Sequence, residues 1–187
     1  MANETEVRDV LALAYRAFGD TMRGKTLLQK RLYFVSVILG VDLGYEPHYY
    51  GPYSEEVATA NTELKSLGYL SESSSAWGVD QRGFERARYD YALTDAGSRL
   101  ADKKAQANPQ IMRDIEAAAK IVNEAGNLDY MELSIAAKAY YILTRLGRKA
   151  TIQDISAMLP RFGWSVKQEE LEKAATFLQK MHLVAQA

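Results

Sequence analysis

The sequence of 187 residues contains no cysteine and only two histidines, and these absences narrow its chemistry. Without cysteine there is no disulfide framework, thiolate zinc site, iron–sulfur cluster or cysteine nucleophile. His48 and His182 lie far apart in the sequence and lack the His-x-x-x-His or carboxylate-flanked spacing of a metal site. We therefore expect no metal, no cofactor and no catalytic residues.

Phosphate-binding loops and long apolar runs are missing as well. The stretch "GDTMRGKT", residues 19–26, keeps the outline of a P-loop but follows a predicted helix rather than a strand. No Ser-His-Asp order is suggested. The N-terminus has no basic segment followed by an apolar core, and no apolar run approaches the roughly 20 residues that span a bilayer. These features predict a cytoplasmic protein that is not an enzyme and does not contact a membrane.

Charge of one sign is not in excess, since the formal net charge is -1. A dedicated nucleic-acid binder usually carries a basic excess or a concentrated basic face, so the overall charge weighs against DNA. The composition is 48% hydrophobic and 25% charged. That balance is typical of a soluble globular protein with one sizeable core or two small ones.

Hydrophobic periodicity in the first half predicts the order helix, helix, helix, strand, long loop, strand, helix. This is the order of a winged helix-turn-helix. Between Lys25 and Leu39 two apolar stripes lie side by side, which indicates a helix buried on more than one side. The predicted helix starts are after Asn3, at Lys25, at the Ser54 cap and at the Thr94 cap.

The second half predicts a linking helix and three further helices. Pro109 follows the cap candidate Asn108, and a helix starting there is expected to join the two halves. Capping residues at Asp129, Thr151 and Ser165 begin the other three, which is typical of a tri-helical helix-turn-helix core. The predicted fold is mainly α with a small β-hairpin wing, divided into a winged-helix-like domain (1–106), a linking helix (107–127) and a tri-helical helix-turn-helix-like domain (128–187).

Two stretches in the first half resemble a known fold. "ELKSLGYL" followed by "RYDYALTDAGSRL" resembles the end of a PadR-like or MarR-like winged helix. There a recognition helix leads through a Leu-Gly step into the wing, and the wing ends in an aromatic-x-Leu-Thr-x-x-Gly-x-x-Leu exit. Such a likeness indicates a fold rather than a target. The matching positions are Tyr91, Leu93, Thr94, Gly97 and Leu100.

A second resemblance involves "KTLLQKRLYFVSVILG" together with "YYGPYS". These segments are similar to the opening of the YwgA-like proteins and, more remotely, to the Panacea antitoxin domain, with matches at Lys30, Tyr33, Gly51 and Pro52. The C-terminal "AAKAYYILTRLGRKATIQDISAML" is also similar to what YwgA-like proteins carry. YwgA-like proteins are largely uncharacterised, whereas the Panacea likeness implies a protein that neutralises a toxin.

The stretch "HYYGPYS", residues 48–54, crowds three tyrosines around a Gly-Pro turn. Tyr49, Tyr50 and Tyr53 offer rigid contact area with one hydroxyl each, as an aromatic recognition surface does. The alternative is a tight turn that feeds the Ser54 cap, with the rings covering the edges of the core.

A run of basic residues just before and within the second helix forms the strongest local positive field of the sequence. No acidic residue lies between Met22 and Leu39. The run is compatible with phosphates or with the acidic surface of a partner protein, and equally with a solvated face. Its members are Arg23, Lys25, Lys30 and Arg31.

The third helix and the wing are the candidate DNA-binding elements. Asn61 and Lys65 are the third-helix side chains suited to DNA, but that helix begins with two glutamates, which repel phosphate. Arg82, Arg86 and Arg88 alternate along the wing and suit a minor groove, or form a solvated hairpin face.

The sequence thus predicts a non-catalytic regulatory protein of winged-helix type. The first functional hypothesis is a regulator that binds double-stranded DNA, which the fold analogy favours. The alternative is an antitoxin-like protein-interaction module that regulates an acidic partner, which the charge distribution favours. A homodimer is compatible with both.

Overall fold

The computed structural model describes residues 4–79, 85–126 and 128–184. It is mainly helical with a small antiparallel sheet, which confirms the broad fold class predicted above. The helices are α1 (Glu4–Ala17), α2 (Lys25–Leu39), α3 (Glu55–Ser66), α4 (Asp95–Ala107), α5 (Pro109–Ala125), α6 (Tyr130–Leu146), α7 (Ile152–Met158), a 3-10 helix (Leu159–Phe162) and α8 (Gln168–Lys180). The strands are β1 (Thr21–Arg23), β2 (Tyr45–Glu46), β3 (Tyr53–Ser54), β4 (Leu70–Val79) and β5 (Glu85–Leu93).

Most of the predicted helix starts are confirmed. They could be predicted because each capping side chain lies within three positions of the backbone group that it binds, so the signal is local in sequence. The Ser54 hydroxyl accepts a hydrogen bond from the backbone N–H of Val57 (3.0 Å). Thr94 caps α4 in the same way. Asp129 and Thr151 each form a capping box, in which the third helical residue binds back to the cap.

Two predicted caps differ from the structure. The N-terminus of α8 is capped by the carboxylate of Glu170, which accepts from the backbone N–H of Lys167 (2.8 Å), and not by Ser165. The helix therefore begins at Gln168. Asn108 precedes α5 as predicted, but its side chain makes no capping hydrogen bond. Asn3 lies outside the described residues.

Three strands form one antiparallel sheet in the order β1-β5-β4. β4 and β5 make the predicted hairpin, with Leu70 opposite Leu93, but the strands extend to Val79 and from Glu85, over most of the segment that was predicted to be a long loop. β1 is an additional strand in the segment that was predicted only to end the first helix. It pairs with β5 so that Met22 lies opposite Tyr91, and both side chains are buried. Three residues are too few to show the alternation that identifies a strand.

The buried apolar side chains form two clusters. The first lies among α1, α3 and the sheet, and the second lies among α6, α7 and α8. Helix α2 contributes Leu28 and Leu32 to the first cluster and Tyr33 and Phe34 to the second. Helix α5 also belongs to both. The two halves are therefore joined by shared helices, as the double stripe of α2 indicates.

The "HYYGPYS" stretch is the corner between α2 and α3, and residues 48–54 are named the tyrosine corner below. Strands β2 and β3 pair where the corner begins and ends, with Tyr45 opposite Ser54 and Glu46 opposite Tyr53. Over the described part of the chain, no helix has the length and apolar character needed to cross a bilayer.

Candidate binding site at the tyrosine corner

The C-terminal half holds one side of the tyrosine corner. The indole Nε1 of Trp164 donates a hydrogen bond to the backbone carbonyl of His48 (2.7 Å). The hydroxyl of Ser134, on α6, donates to the backbone carbonyl of Tyr50. Both donors are buried, whereas the carbonyls that accept these bonds belong to exposed residues, so the two bonds anchor an exposed turn to the interior.

Helix α2 holds the other side of the corner. The Nζ of Lys30 donates to the backbone carbonyl of Pro52 (2.5 Å). The amide of Gln29 binds Ser54 twice, because its Nε2 donates to the carbonyl (2.9 Å) and its Oε1 accepts from the N–H (3.0 Å). Four alternate carbonyls of the corner, at residues 48, 50, 52 and 54, thus each accept a bond from a different side chain. The corner is a stiff turn, as one of the two interpretations predicted.

Gly51 lets the corner approach α6 closely. Its φ is 93°, in the left-handed region that favours glycine. A Cβ at this position would come 3.0 Å from the Cγ of Lys138 and 3.3 Å from the carbonyl oxygen of Ser134. A side chain at this position would need the Lys138 side chain or the backbone at Ser134 to give way by a few tenths of an ångström, so glycine keeps the corner close to α6.

The tip of this stiff turn carries two exposed rings. Tyr49 is 72% exposed and Tyr50 is 47% exposed, and their rings meet edge to face with centroids 4.8 Å apart. Tyr53 is half-buried beside His48. The structure thus combines both features considered for the stretch, a fixed backbone and an available aromatic surface. Partner binding by the three tyrosines stays a prediction.

Lys30 requires a correction, because it does not lie on an exposed face. Its side chain is only 1% exposed and reaches under the corner to Pro52. Burial, with a smaller contribution from the charge of Lys138, lowers the pKa of Lys30 to about 7. The Lys30 side chain is buried because both sides of α2 are covered. The corner covers one side of the helix, and the first apolar cluster covers the other.

Lys138 is the functional candidate that the sequence did not reveal. Its side chain is half-buried, and its Nζ lies 5.6 Å from the centre of the Trp164 ring. Burial lowers the pKa of Lys138, and the charge of Glu170 opposes that effect. The spacing Ser134 to Lys138 places both residues on one face of α6. Nothing in the sequence indicates that this face meets residues 48–54.

The rest of the basic run contacts other parts of the molecule. Arg23 belongs to β1 and is exposed. The ammonium of Lys25 lies 4.5 Å from the centre of the Tyr89 ring on β5. The guanidinium of Arg31 lies 4.8 Å from the centre of the Phe18 ring, just after α1. These contacts are with the sheet and the end of α1, so the run is not brought together at the tyrosine corner.

The DNA-binding candidates on α3 are poorly placed for bases. Asn61 is 6% exposed, and its side-chain oxygen accepts a hydrogen bond from the hydroxyl of Tyr15 (2.7 Å). The prediction that Asn61 contacts DNA is corrected accordingly, because α3 packs this face against α1. Lys65 is half-exposed and makes an ion pair with Glu72 on β4 (3.2 Å).

The wing arginines are only partly described. Arg88 is half-exposed and makes an ion pair with Asp90 (2.9 Å). Arg86 lies in β5, but its side chain is not among those described, and Arg82 lies outside the described residues. Their role in binding DNA stays a prediction.

A metal centre finds no support among the described residues, where no group of three or more histidine, aspartate or glutamate side chains is arranged to hold an ion. His48 contacts the ring of Tyr53. His182 lies just after α8 with a φ of 57°.

The fold and the corner define a mainly helical protein with a small antiparallel sheet and a rigid tyrosine-bearing turn. The chain is similar to the uncharacterised protein YwgA of Bacillus subtilis (strain 168), with 36% identity over 90 residues. The alignment covers 46% of this chain and 51% of YwgA, so the chain matches about half the length of this relative. No protein-family model matches the chain. The likeness to YwgA predicted from the sequence is confirmed, and that name carries no activity.

Proposed function

We propose that this protein is a non-catalytic regulatory protein that binds a partner protein through the tyrosine corner. One observation carries the proposal, namely that the exposed Tyr49 and Tyr50 rings stand on a backbone held by four side chains. A surface fixed before binding loses little conformational entropy when the partner arrives. Tyrosine is also among the residues that dominate the binding energy of protein interfaces.

The partner that we propose presents an acidic surface to the corner. Lys138 lies beside Gly51, and the buried Lys30 lies beneath Pro52. The positive charge of the half-buried Lys138 favours a partner of opposite sign and steers its approach. A protein that neutralises or regulates its partner by covering it needs no catalytic group, which agrees with the surface described above.

We propose further that α1 to β5 form a winged helix. The order helix, strand, helix, helix, hairpin supports this, together with the pairing of β1 to the hairpin through β5. In a winged helix of the DNA-binding kind, α3 would enter the major groove. Glu55 and Glu56 are exposed at its start, while Asn61 is buried, so α3 is poorly suited to reading bases. For this reason we place protein binding ahead of DNA binding.

The test is the double variant Tyr49→Ala/Tyr50→Ala, with Leu67→Ala as the matched control. Leu67 is 60% exposed and follows α3, so its truncation removes exposed apolar surface elsewhere. We expect wild type and control to capture the same partner from cells of the source organism. The double variant should fail to capture that partner. In a titration with the purified partner it should bind at least about tenfold more weakly, which is a loss of about 1.4 kcal/mol in binding free energy. Equal binding by a double variant with unchanged circular dichroism would reject the corner as the binding surface.

DNA binding through the β4–β5 hairpin is the second candidate function. Arg86 and Arg88 on β5, with Arg82 in the segment between the strands, support it. Contacts to phosphate lose affinity steeply as salt increases. Replacing the three arginines by alanine should then flatten the salt dependence of binding to a random duplex. An unchanged slope would remove the hairpin as the DNA-binding surface.

A further inference from the structure

Strand β4 forms one edge of the antiparallel sheet. In the order β1-β5-β4 it pairs with β5 on one side, and among the described residues no strand lies on its other side. The strand has 10 residues, and residues 71–76 are all exposed. β1 forms the opposite edge with three residues. The sheet thus has one short edge and one long, exposed edge.

The hydrogen bonds of β5 show which of its residues face β4. The N–H of Leu93 donates to the carbonyl of Asp20 on the β1 side (2.9 Å). The N–H of the next residue, Thr94, donates to the carbonyl of Tyr69 on the β4 side (3.0 Å). Successive residues of an antiparallel strand direct their backbone groups to opposite sides. The even-numbered residues of β5 therefore face β4, and the odd-numbered residues face β1.

The register of the hairpin carries this alternation over to β4. Ser71 lies opposite Ala92, and Ser73 lies opposite Asp90. The odd-numbered residues of β4 therefore use their backbone groups to bind β5. The even-numbered residues direct their N–H and C=O groups away from the sheet, and in the exposed part of the strand these are Glu72, Ser74 and Ala76.

Little in β4 protects this edge. Natural proteins guard exposed edges with short strands, lysine, proline or bulges, because outward N–H and C=O groups pair readily with another strand. Residues 70–79 contain neither lysine nor proline. The register becomes irregular only after Ala76, so residues 70–76 stay regular. The charged residue of the strand, Glu72, is paired with Lys65 at 3.2 Å. The edge is therefore open to a further strand.

We propose that the edge of β4 pairs antiparallel with β4 of a second copy of this chain, which joins two three-stranded sheets into one. The two-fold axis passes beside Ser73, because residue 73 is the centre of the regular stretch 70–76 and this register gives the longest overlap. Glu72 then lies opposite Ser74 of the second copy. No carboxylate is opposite its own copy, so the pairing avoids the repulsion of like charges.

A second copy suits this edge better than a foreign strand. A foreign strand is selected by pockets that take its alternate side chains, whereas the side chains of residues 71–76 are mostly serine and exposed. Antiparallel pairing of a strand with itself satisfies a two-fold axis, and opposed serines hydrogen-bond across the strands. One pair of strands buries less than the roughly 800 Å² per partner of a stable interface, so we expect a reversible dimer at high protein concentration.

The absence of cysteine makes disulfide crosslinking a direct test, because any disulfide must come from an introduced residue. In Ser73→Cys the new side chain meets its own copy with Cα atoms about 4.5 Å apart, which a disulfide spans. In Ser71→Cys the new side chain lies opposite residue 75, roughly 14 Å from its own copy, which is too far. Lys173→Cys, at an exposed position of α8, is the control for random collisions.

The experiment oxidises each folded full-length variant mildly at high protein concentration and follows the disulfide-linked dimer. We expect Ser73→Cys to crosslink at least about tenfold faster than Ser71→Cys or Lys173→Cys. Adding Ser74→Pro removes an outward N–H and leaves the bonds to β5 in place, because an edge strand tolerates proline on its open side. We expect this addition to lower the Ser73→Cys rate to that of the control, with unchanged circular dichroism.

Equal rates for Ser73→Cys and Lys173→Cys would overturn the proposal, because collisions alone would then explain the dimer. So would fast crosslinking that survives Ser74→Pro in a folded variant, since the outward backbone would not be the contact. If Ser74→Pro unfolds the protein, the comparison with Lys173→Cys decides alone. Crosslinking of Ser73→Cys to a different protein in cells, without any dimer of this chain, would show that a foreign strand covers the edge and would equally overturn the proposal.

Discussion

At the scale of single residues, Lys30 shows how far a lysine departs from its ordinary behaviour when the fold encloses it. It is the most deeply buried charged side chain described, and it donates its hydrogen bond to a backbone carbonyl, that of Pro52, rather than to a carboxylate. An ammonium in such a place destabilises the folded state relative to a neutral amine. The position of Lys30 therefore has a consequence for stability that depends on pH.

We predict that the free energy of unfolding rises between pH 7 and pH 9, and that Lys30→Met removes much of the rise. The pKa of Lys30 is about 7 in the folded protein and near its ordinary value of 10.5 when unfolded. Between these values the unfolded chain binds more protons, so stability increases with pH, by on the order of 2 kcal/mol over two pH units. Urea unfolding of both proteins at each pH measures the effect.

The control for this prediction is Lys173→Met, which replaces an exposed lysine and should keep the wild-type rise. The upper limit of pH 9 matters because Tyr15 and Tyr33 have pKa values raised by burial. Their raised values lower stability only as the pH passes the ordinary tyrosine pKa of about 10. Equal slopes for wild type and Lys30→Met would contradict the burial of a titrating amine.

Lys30 and Asn61 also show what the sequence could not predict about single residues. Both are polar residues in helices, so exposure was the natural expectation. Each is buried because its partner comes from a distant position, Pro52 for Lys30 and Tyr15 for Asn61. Such pairings follow from the packing of whole helices and leave no local signal.

At the scale of elements, the sequence predicted the helices well and the strands less well. The extent of α2 was predicted to the residue, and the caps at Ser54 and Thr94 were correct, because their signals lie within a few positions. Strand β1 was missed because its hydrogen-bonding partner is β5, almost 70 residues away. The tyrosine corner was recognised as a turn, but its contacts with Ser134 and Trp164 were not foreseen, since they cross between the halves.

The start of α4 gives a prediction about how the elements fit together. A Cβ on Gly97 would come 2.0 Å from the carbonyl oxygen of Tyr69, a backbone atom that cannot move without shifting the hairpin. Gly97→Ala should lower the free energy of unfolding by about 1–3 kcal/mol through overpacking. Gly126→Ala is the control, because its nearest atoms would lie 3.7 Å away. Thermal melting compares the two, and equal melting temperatures would show that Gly97 has room for a side chain.

At the scale of the whole molecule, the two buried clusters are connected by helices that belong to both. The division into residues 1–106, 107–127 and 128–187 was drawn from the order of elements and stays a prediction. Helix α2, from the first of these segments, packs the Phe34 ring against Phe177 of α8 at 5.6 Å between centroids. The second cluster is therefore completed by residues that the sequence assigned to the first domain. Folding of one half should depend on the other.

We predict that the full-length chain unfolds in a single cooperative transition. Leu11 lies in the first cluster and Ile142 in the second, and both are fully buried. Truncating either to alanine should destabilise the protein by about 2–5 kcal/mol through the cavity it leaves. Because α2 and α5 belong to both clusters, each variant should lower hydrogen-exchange protection in α1 and α3 and in α6 and α8 to the same extent. If Leu11→Ala loosened α1 and α3 while α6 and α8 kept their wild-type protection, the clusters would be separate domains, and the shared helices would not couple them.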